Sequence, residues 1–284
     1  MKGERRKLRF GVMSAGTTFA AWEAECLDRL VALENTRLAL LIVDKRAEAP
    51  RVRPGPVDRA RSLLGSDRIL WLLYERLLVD GRIKALAPVD WSAQLRGVAA
   101  LGCDVTRRGR FSEYFSASDI DIIRGHELDF ILRFAFGIVR GKILRVPRYG
   151  VWSFHHDDEM RYRGGPPAFW EIYRGDPHTS VVLQRLTERL DGGVVLRKDA
   201  FGTVLHSYAR NRDVGLFGGA AWPAEVCRDL LAGKDEYLNA APSASTAPIF
   251  HAPSNREMLR FAVTLGRNFL RHCIRRRRST SQLG

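Results

Sequence analysis

The run Leu38-Ala-Leu-Leu-Ile-Val43 is uninterrupted apolar sequence of strand length, with no polar position to turn toward water. A strand of that kind fits a parallel sheet covered on both faces, whereas a half-exposed strand would alternate. It is preceded by a second short strand, Leu8-Arg-Phe-Gly-Val-Met13, and a turn, Ser14-Ala-Gly-Thr-Thr18. Phe19 to Leu33 then carries apolar residues at helical spacing. Strand, turn, helix, strand is the opening of an α/β fold with a doubly wound, mostly parallel, Rossmann-like sheet.

Further along, Asp129-Phe-Ile-Leu-Arg-Phe134 and Gly150-Val-Trp-Ser-Phe154 read as strands, and Val181–Leu186 with Val194–Leu196 as a strand pair around a loop. Pro50, Pro54 and Pro56 with Arg51 and Arg53 make a loop. Ile69–Val79 reads as an apolar helix, so residues 50–100 are expected to hold a helical insertion. That helix is too short, and too interrupted by Glu75 and Arg76, to span a bilayer. Packing on the domain or a homodimer contact accounts for it better than a membrane-surface role. From about Leu205 the sequence changes: turn glycines, a helix at Pro223–Leu231, a Pro/Ser/Ala stretch from Ala240 to Pro253, and a basic helix from Asn255 to Arg278. The reading is therefore a main domain over 1–207 and a small helical extension over 208–284, with no internal repeats.

Cys26, Cys103, Cys227 and Cys273 are scattered and form no CxxC pair, so neither a disulfide framework nor a zinc knuckle is indicated and a reducing, cytoplasmic setting is expected. No signal-peptide pattern precedes the first strand. The net charge of +14 is concentrated at the end, where Arg271 and Arg275–Arg278 supply five positive charges. Such a balance favours anionic partners. Aromatics are not interleaved with these arginines as in a nucleic-acid groove, so RNA is possible but not favoured.

The densest cluster of reactive side chains is His155-His-Asp-Asp-Glu159, directly after a predicted strand. In an open parallel sheet, ligands bind beyond the carboxyl ends of the strands. Neighbouring residues of an extended segment point to opposite sides, so the five cannot face one ion, and no HExxH-like spacing accompanies them; no metal is expected. By the same parity His156 points away from His155, into a structural role. His178, His206 and His251 have no motif context, and Trp152 and Trp170 read as core. Gly164-Gly-Pro-Pro167 alone would be a rigid corner, and Leu190-Asp-Gly-Gly193 alone a hairpin turn.

Taken in order, Gly150–His155, Tyr162-Arg-Gly164 and Leu190-Asp-Gly-Gly193 resemble the formyltransferase family, which shows Gly-x-x-Asn-x-His, then Tyr-Arg-Gly, then Leu-Asp-(Thr/Gly/Ser)-Gly. Ala15-Gly-Thr17, Phe136-Gly-Ile138 and Phe169-Trp-Glu-Ile-Tyr173 are further matches. The resemblance is clear over 129–196 and fades beyond about 205. It implies one-carbon transfer from 10-formyltetrahydrofolate, as formyl donor substrate, to an amine. His155 would hydrogen-bond or protonate the oxyanion and Asp191 would orient it and relay the amine proton, with Ser153 as the third catalytic position. Phe134, Phe136, Gly137, Ile138 and Val139 would form the folate pocket. Ala15, Gly16 and Thr17, with Tyr162, Arg163 and Gly164, would bind substrate.

Two departures from the pattern bear on this expectation. The family asparagine is Ser153 here, one rotatable hydroxyl in place of an amide donor. Asp157-Asp-Glu-Met160 replaces a small apolar loop, and its acids could grip a cationic amine or simply be solvated. The final 80 or so residues do not read as the β-barrel that the tRNA enzyme appends, which favours a small-molecule amine, such as a nucleotide-linked amino sugar, over tRNA. Hydrolysis of 10-formyltetrahydrofolate and a non-catalytic folate-binding scaffold are the competing readings.

Overall fold

A computed structural model describes residues 7–47, 66–109, 111–190 and 192–280. The proline-rich loop from Pro50 to Pro56 and Asp191 lie outside the described residues. The centre is a seven-stranded sheet built from β1 (Leu8–Ser14), β2 (Thr36–Asp44), β3 (Ala99–Cys103), β4 (Phe130–Arg133), β5 (Val151–His155), β6 (His178–Arg185) and β7 (Val194–Gly202). The spatial order is β7-β6-β5-β4-β1-β2-β3. β1 to β5 are mutually parallel, and β6 runs antiparallel to both β5 and β7. The expected doubly wound, mostly parallel sheet is therefore observed. The chain leaves β1 toward β2 and β3, then returns to place β4 on its other side, so the strand order switches at β1, where such folds bind ligands.

Alternation along the strands covers both faces. Phe10, Val12, Phe130, Leu132, Trp152 and Phe154 enter the larger core, with Trp22, Leu27 and Leu30 of helix α1 (Ala21–Val31). Met13, Leu40, Ile42, Ile131 and Val151 enter the smaller one, with Ile120 and Ile123 of a later helix, Ala117–Gly125. The predicted Ile69–Val79 helix is α2 (Ile69–Tyr74) continued by a π turn, Glu75–Val79.

Beyond β7, α3 (Tyr208–Gly218) and α4 (Trp222–Leu231) supply Tyr208, Leu216, Trp222 and Val226 to the same larger core. The last helix, α5 (Asn255–Thr280), supplies Met258 and Phe261. Among the described residues no helix is long and apolar enough to cross a membrane.

Phe130 locks the centre. Its ring stacks on Phe10 at 5.3 Å and on Trp152 at 3.9 Å, joining β1, β4 and β5. Phe130→Ala is expected to destabilise by about 3–5 kcal/mol, measured by urea denaturation; a loss below about 1 kcal/mol would contradict its role as the packing centre.

Candidate active site

Side chains two apart on a strand share a face, and in-register residues of neighbouring strands stand side by side. Ser153 is in register with Arg133 of β4 and with Gln184 of β6. His155 follows on the same face, opposite Val182. This row lies at the carboxyl end of β4 and β5 and lines a cavity of about 880 Å³. Its walls include Gly137, Ile138 and Val139 on one side, Gly164 to Pro166 on another, and Leu186, Leu190 and Phe250.

Arg133 is the organiser. Its Nε and Nη2 donate to Ser153 Oγ at 3.1 and 2.8 Å. Nη1 donates to the carbonyls of Phe136 and Gly137, both at 3.0 Å. The Gly137 N–H donates in turn to Glu113 Oε2 at 2.6 Å. Phe136, at φ +66°, is in the left-handed region that costs a non-glycine residue free energy, and these bonds hold it there. Glu113 sits on a short strand, Ser112–Phe115, that pairs in parallel with Ile138–Arg140. Arg46 Nη1 and Nη2 donate to its carboxylate at 2.7 and 3.0 Å, and Nε and Nη2 of the same guanidinium hold Asp44 at the end of β2. Burial would raise the Glu113 carboxyl, but the bonds from Arg46, Gly137 N–H and Arg107 outweigh it and bring it down to about 2.

His155 Nε2 lies 3.1 Å from the Tyr162 carbonyl, which can only accept, so the proton of the neutral ring sits on Nε2. The Tyr162 side chain is buried away from the cavity, its hydroxyl donating to Asp176 and its ring against Phe250. Arg163 likewise points elsewhere: Nη2 donates to the Leu190 carbonyl at 3.1 Å, fixing the end of the described segment before position 191. After position 191, Gly192 O accepts from Thr187 Oγ1 at 2.7 Å and Gly193 N donates to Gln184 Oε1 at 3.2 Å. A Cβ on Gly193 would lie 2.6 Å from both Arg185 O and Gln184 Oε1, so this approach requires glycine.

The sequence-predicted residues thus divide. Ser153, His155, Gly137, Ile138, Val139 and Gly164 meet at the cavity. The Phe134 ring turns into the core against Phe19 and Trp22, and the Phe136 ring packs on Phe115; neither lines the cavity. Ala15, Gly16 and Thr17 follow β1 at the same sheet edge but stand outside the cavity wall. Arg133, Gln184 and Glu113 were not singled out in the sequence.

The acidic loop is neither solvated nor aimed at a ligand. Asp157 is buried and accepts from Ala168 N–H at 2.8 Å. Burial, then the neighbouring Glu171 charge, pushes its carboxyl well above the usual range, and burial brings Glu171 up to about 7. Asp158 and Glu159 both pair with Lys198, at 2.7 and 3.0 Å. His156 packs edge-on against Trp22 and over Phe154, and loss of hydration, with Arg212 and His155 nearby, lowers it to about 3. Among the described residues no group of His, Cys, Asp or Glu is arranged to hold a metal.

An open α/β sheet with a cavity at the carboxyl ends of β4 and β5 defines the structural class, and similarity to known proteins narrows it. No sequence-family profile matches the chain. A methionyl-tRNA formyltransferase of Prochlorococcus marinus is 39% identical over 75 residues, 26% of this chain and 22% of that protein. Another, from Lachnospira eligens, is 29% identical over 143 residues, 48% of this chain and 43% of that one. The aligned segments therefore span less than half of these curated relatives. Among solved structures, glycinamide ribonucleotide transformylase 1 of Symbiobacterium toebii superposes with a TM-score of 0.52 at 17% identity, covering 80% of this chain and 89% of that one. A formyltetrahydrofolate deformylase from Pseudomonas syringae pv. tomato shares the fold at a TM-score of 0.51 and 15% identity, covering 80% of this chain and 62% of that one. The chain is thus similar in a stretch of its sequence to methionyl-tRNA formyltransferases, and in fold to a glycinamide ribonucleotide transformylase and a formyltetrahydrofolate deformylase, which supports a formyltransferase family.

The Glu113 network has a pH signature. A folded carboxyl titrating near 2, against 4.5 for an unperturbed glutamate, contributes stability that is complete above about pH 4.5 and is lost as pH falls through 2. Between pH 6 and pH 2 the native chain should lose up to about 3 kcal/mol more than Glu113→Gln. Urea midpoints at several pH values measure this, and parallel pH curves for the two would contradict it.

Proposed function

We propose that the chain transfers a formyl group from 10-formyltetrahydrofolate to the amino group of a small-molecule acceptor. The observation that carries this reading is the convergence of His155, Ser153 and Arg133 on one cavity beside the Gly137–Val139 segment. Its volume of about 880 Å³ suits a folate head group with a compact amine. The amine lone pair attacks the formyl carbon, giving a tetrahedral oxyanion. The amine proton leaves to a base, the C–N10 bond breaks, and N10 takes a proton to release tetrahydrofolate. With Nε2 committed to the Tyr162 carbonyl, Nδ1 of His155 is the nitrogen that exchanges protons. Asp191, which follows the cavity residue Leu190 in sequence, is its expected partner.

Arg133 answers the question raised by serine at the family asparagine position. Its two N–H groups occupy the acceptor side of Ser153 Oγ, so the hydroxyl proton must turn elsewhere. The remaining contact, Phe154 O at 3.4 Å, is long for an O–H donor. The hydroxyl is thereby a polarised, preoriented donor for the formyl oxygen, backed by a guanidinium charge. The name of the curated relatives, methionyl-tRNA formyltransferase, supports a second reading, in which the acceptor is methionyl-tRNA.

Incubation with 10-formyltetrahydrofolate, with and without candidate amines, and measurement of tetrahydrofolate release tests the reaction. Amine-dependent release supports transfer, amine-independent release would make the chain a hydrolase, and folate binding without turnover would make it a scaffold. His155→Ala and Asp191→Asn should each lower turnover by roughly 10²–10⁴ while leaving the fold intact; near-normal rates in either would remove that residue from the mechanism.

Arg133→Met and Ser153→Ala should each cost on the order of 10²–10³ in kcat. If the two act as one donor, the double variant is no slower than the worse single. Losses that multiply would show that they act independently.

A further inference from the structure

The last helix, α5, is apolar on two opposite sides. One side is core: Met258 and Phe261 are buried, Leu265 packs beside them, and the Phe261 ring lies over Phe169 at 4.4 Å. Its first turn is fixed to the first turn of α2, with Leu70 N–H donating to Asn255 Oδ1 at 2.9 Å, and its middle by Asn268 Nδ2 donating to Leu205 O at 3.2 Å. The opposite side carries Leu259, Val263, Leu270 and Ile274, each between 52% and 74% exposed. Their spacing of four, seven and four residues puts them in one stripe along the helix. Phe269, also exposed, flanks it.

Arginines run beside that stripe in the same spacing. Arg256, Arg260, Arg267 and Arg271 each precede one of the four apolar residues by three positions, so each is its neighbour on the helix surface, and all four are exposed. The helix as a whole has eight arginines and one acid, Glu257. Further exposed leucines, Leu72, Leu73, Leu77 and Leu78, lie on α2 and its π turn, next to α5 through the Tyr74–Phe261 contact.

We propose that this face of α5 docks on an anionic lipid bilayer, lying in the headgroup region with its aliphatic stripe inserted and its arginine row on the lipid phosphates. The pairing of the two rows carries the argument. Arginine stems can lie along apolar surface while the guanidinium reaches outward to phosphate, which is the arrangement an interfacial helix needs. RNA would satisfy the arginines but leave Leu259, Val263, Leu270 and Ile274 facing water. A second copy of the chain would cover those residues but bring two arginine rows together. A bilayer of negative surface charge satisfies both rows at once. The core side of α5 stays packed, so docking requires no unfolding, and the cavity containing His155 is lined by other elements.

The test uses the full chain and sedimentation with vesicles of phosphatidylcholine, alone or mixed equally with phosphatidylglycerol. Binding is expected to the mixed vesicles, weakly or not at all to phosphatidylcholine, and to fall as salt is raised. The triple variant R260Q/R267Q/R271Q should lower partitioning roughly a hundredfold. V263D/L270D should lower it by on the order of tenfold or more. All substituted positions are exposed, and circular dichroism with the thermal midpoint checks that the fold is kept. Should V263D/L270D misfold, the arginine variant decides. No sedimentation with anionic vesicles, or equal binding to both kinds, overturns the proposal. So does binding of polyuridylate by the native chain without vesicle binding, which would assign the face to RNA. Dimerisation in analytical ultracentrifugation that V263D/L270D abolishes, again without vesicle binding, would assign it to a second copy.

Discussion

Arg133, Ser153 and Gln184 stand side by side across β4, β5 and β6, and the loops that frame the cavity hang from this row. Arg133 holds the carbonyls of Phe136 and Gly137, while Gln184 receives the N–H of Gly193. Ser153 is joined to Arg133 by two charge-assisted bonds. The row exists only because β4 and β5 keep one register, and that register depends on Phe130 stacked against Trp152 on the opposite face of the sheet. A one-residue slip would move Arg133 to the other face and leave a guanidinium among aromatic rings. Packing on one side of the sheet thus specifies chemistry on the other.

The same logic explains the Glu113 side of the site. Its carboxylate joins the end of β2, through Arg46, to the Gly137 backbone. Charges that would be costly to bury singly are paired here with each other and with an N–H group. The outcome is a rigid Gly137–Val139 edge, as a site that must hold one reactive geometry requires.

Four of the five parallel strands were legible because their apolar runs are unbroken or nearly so, and His155 was legible because a strand precedes it and reactive side chains follow; β3 (Ala99–Cys103) was missed because it is short and holds only small residues around Leu101. Arg133 was visible only as a polar residue within a strand; its importance depends on meeting Ser153, twenty positions away, and sequence periodicity does not carry register. The strands around Glu113 were missed because Val105–Arg108 is mostly polar and pairs only locally. Helix α3 was missed because its glycines read as turn residues. A Cβ on Gly218 would lie 2.5 Å from the Phe201 ring, so that glycine lets the helix approach β7 and does not break it. Likewise Asp157, Asp158 and Glu159 looked like a ligand-facing or solvated loop, but a buried contact to Ala168 and the ammonium of Lys198 use them within the fold.

The central claim is that the cavity beside the Arg133–Ser153–Gln184 row is a folate site. Isothermal titration with 5-formyltetrahydrofolate tests it most directly, comparing the native chain with Ile138→Trp, which fills the cavity from its wall. The account predicts saturable binding of one folate per chain to the native protein. It also predicts affinity lower by on the order of tenfold or more in the variant, since an overfilled wall leaves no room for the head group. Absence of folate binding to the native chain, or undiminished affinity in the variant, would contradict it.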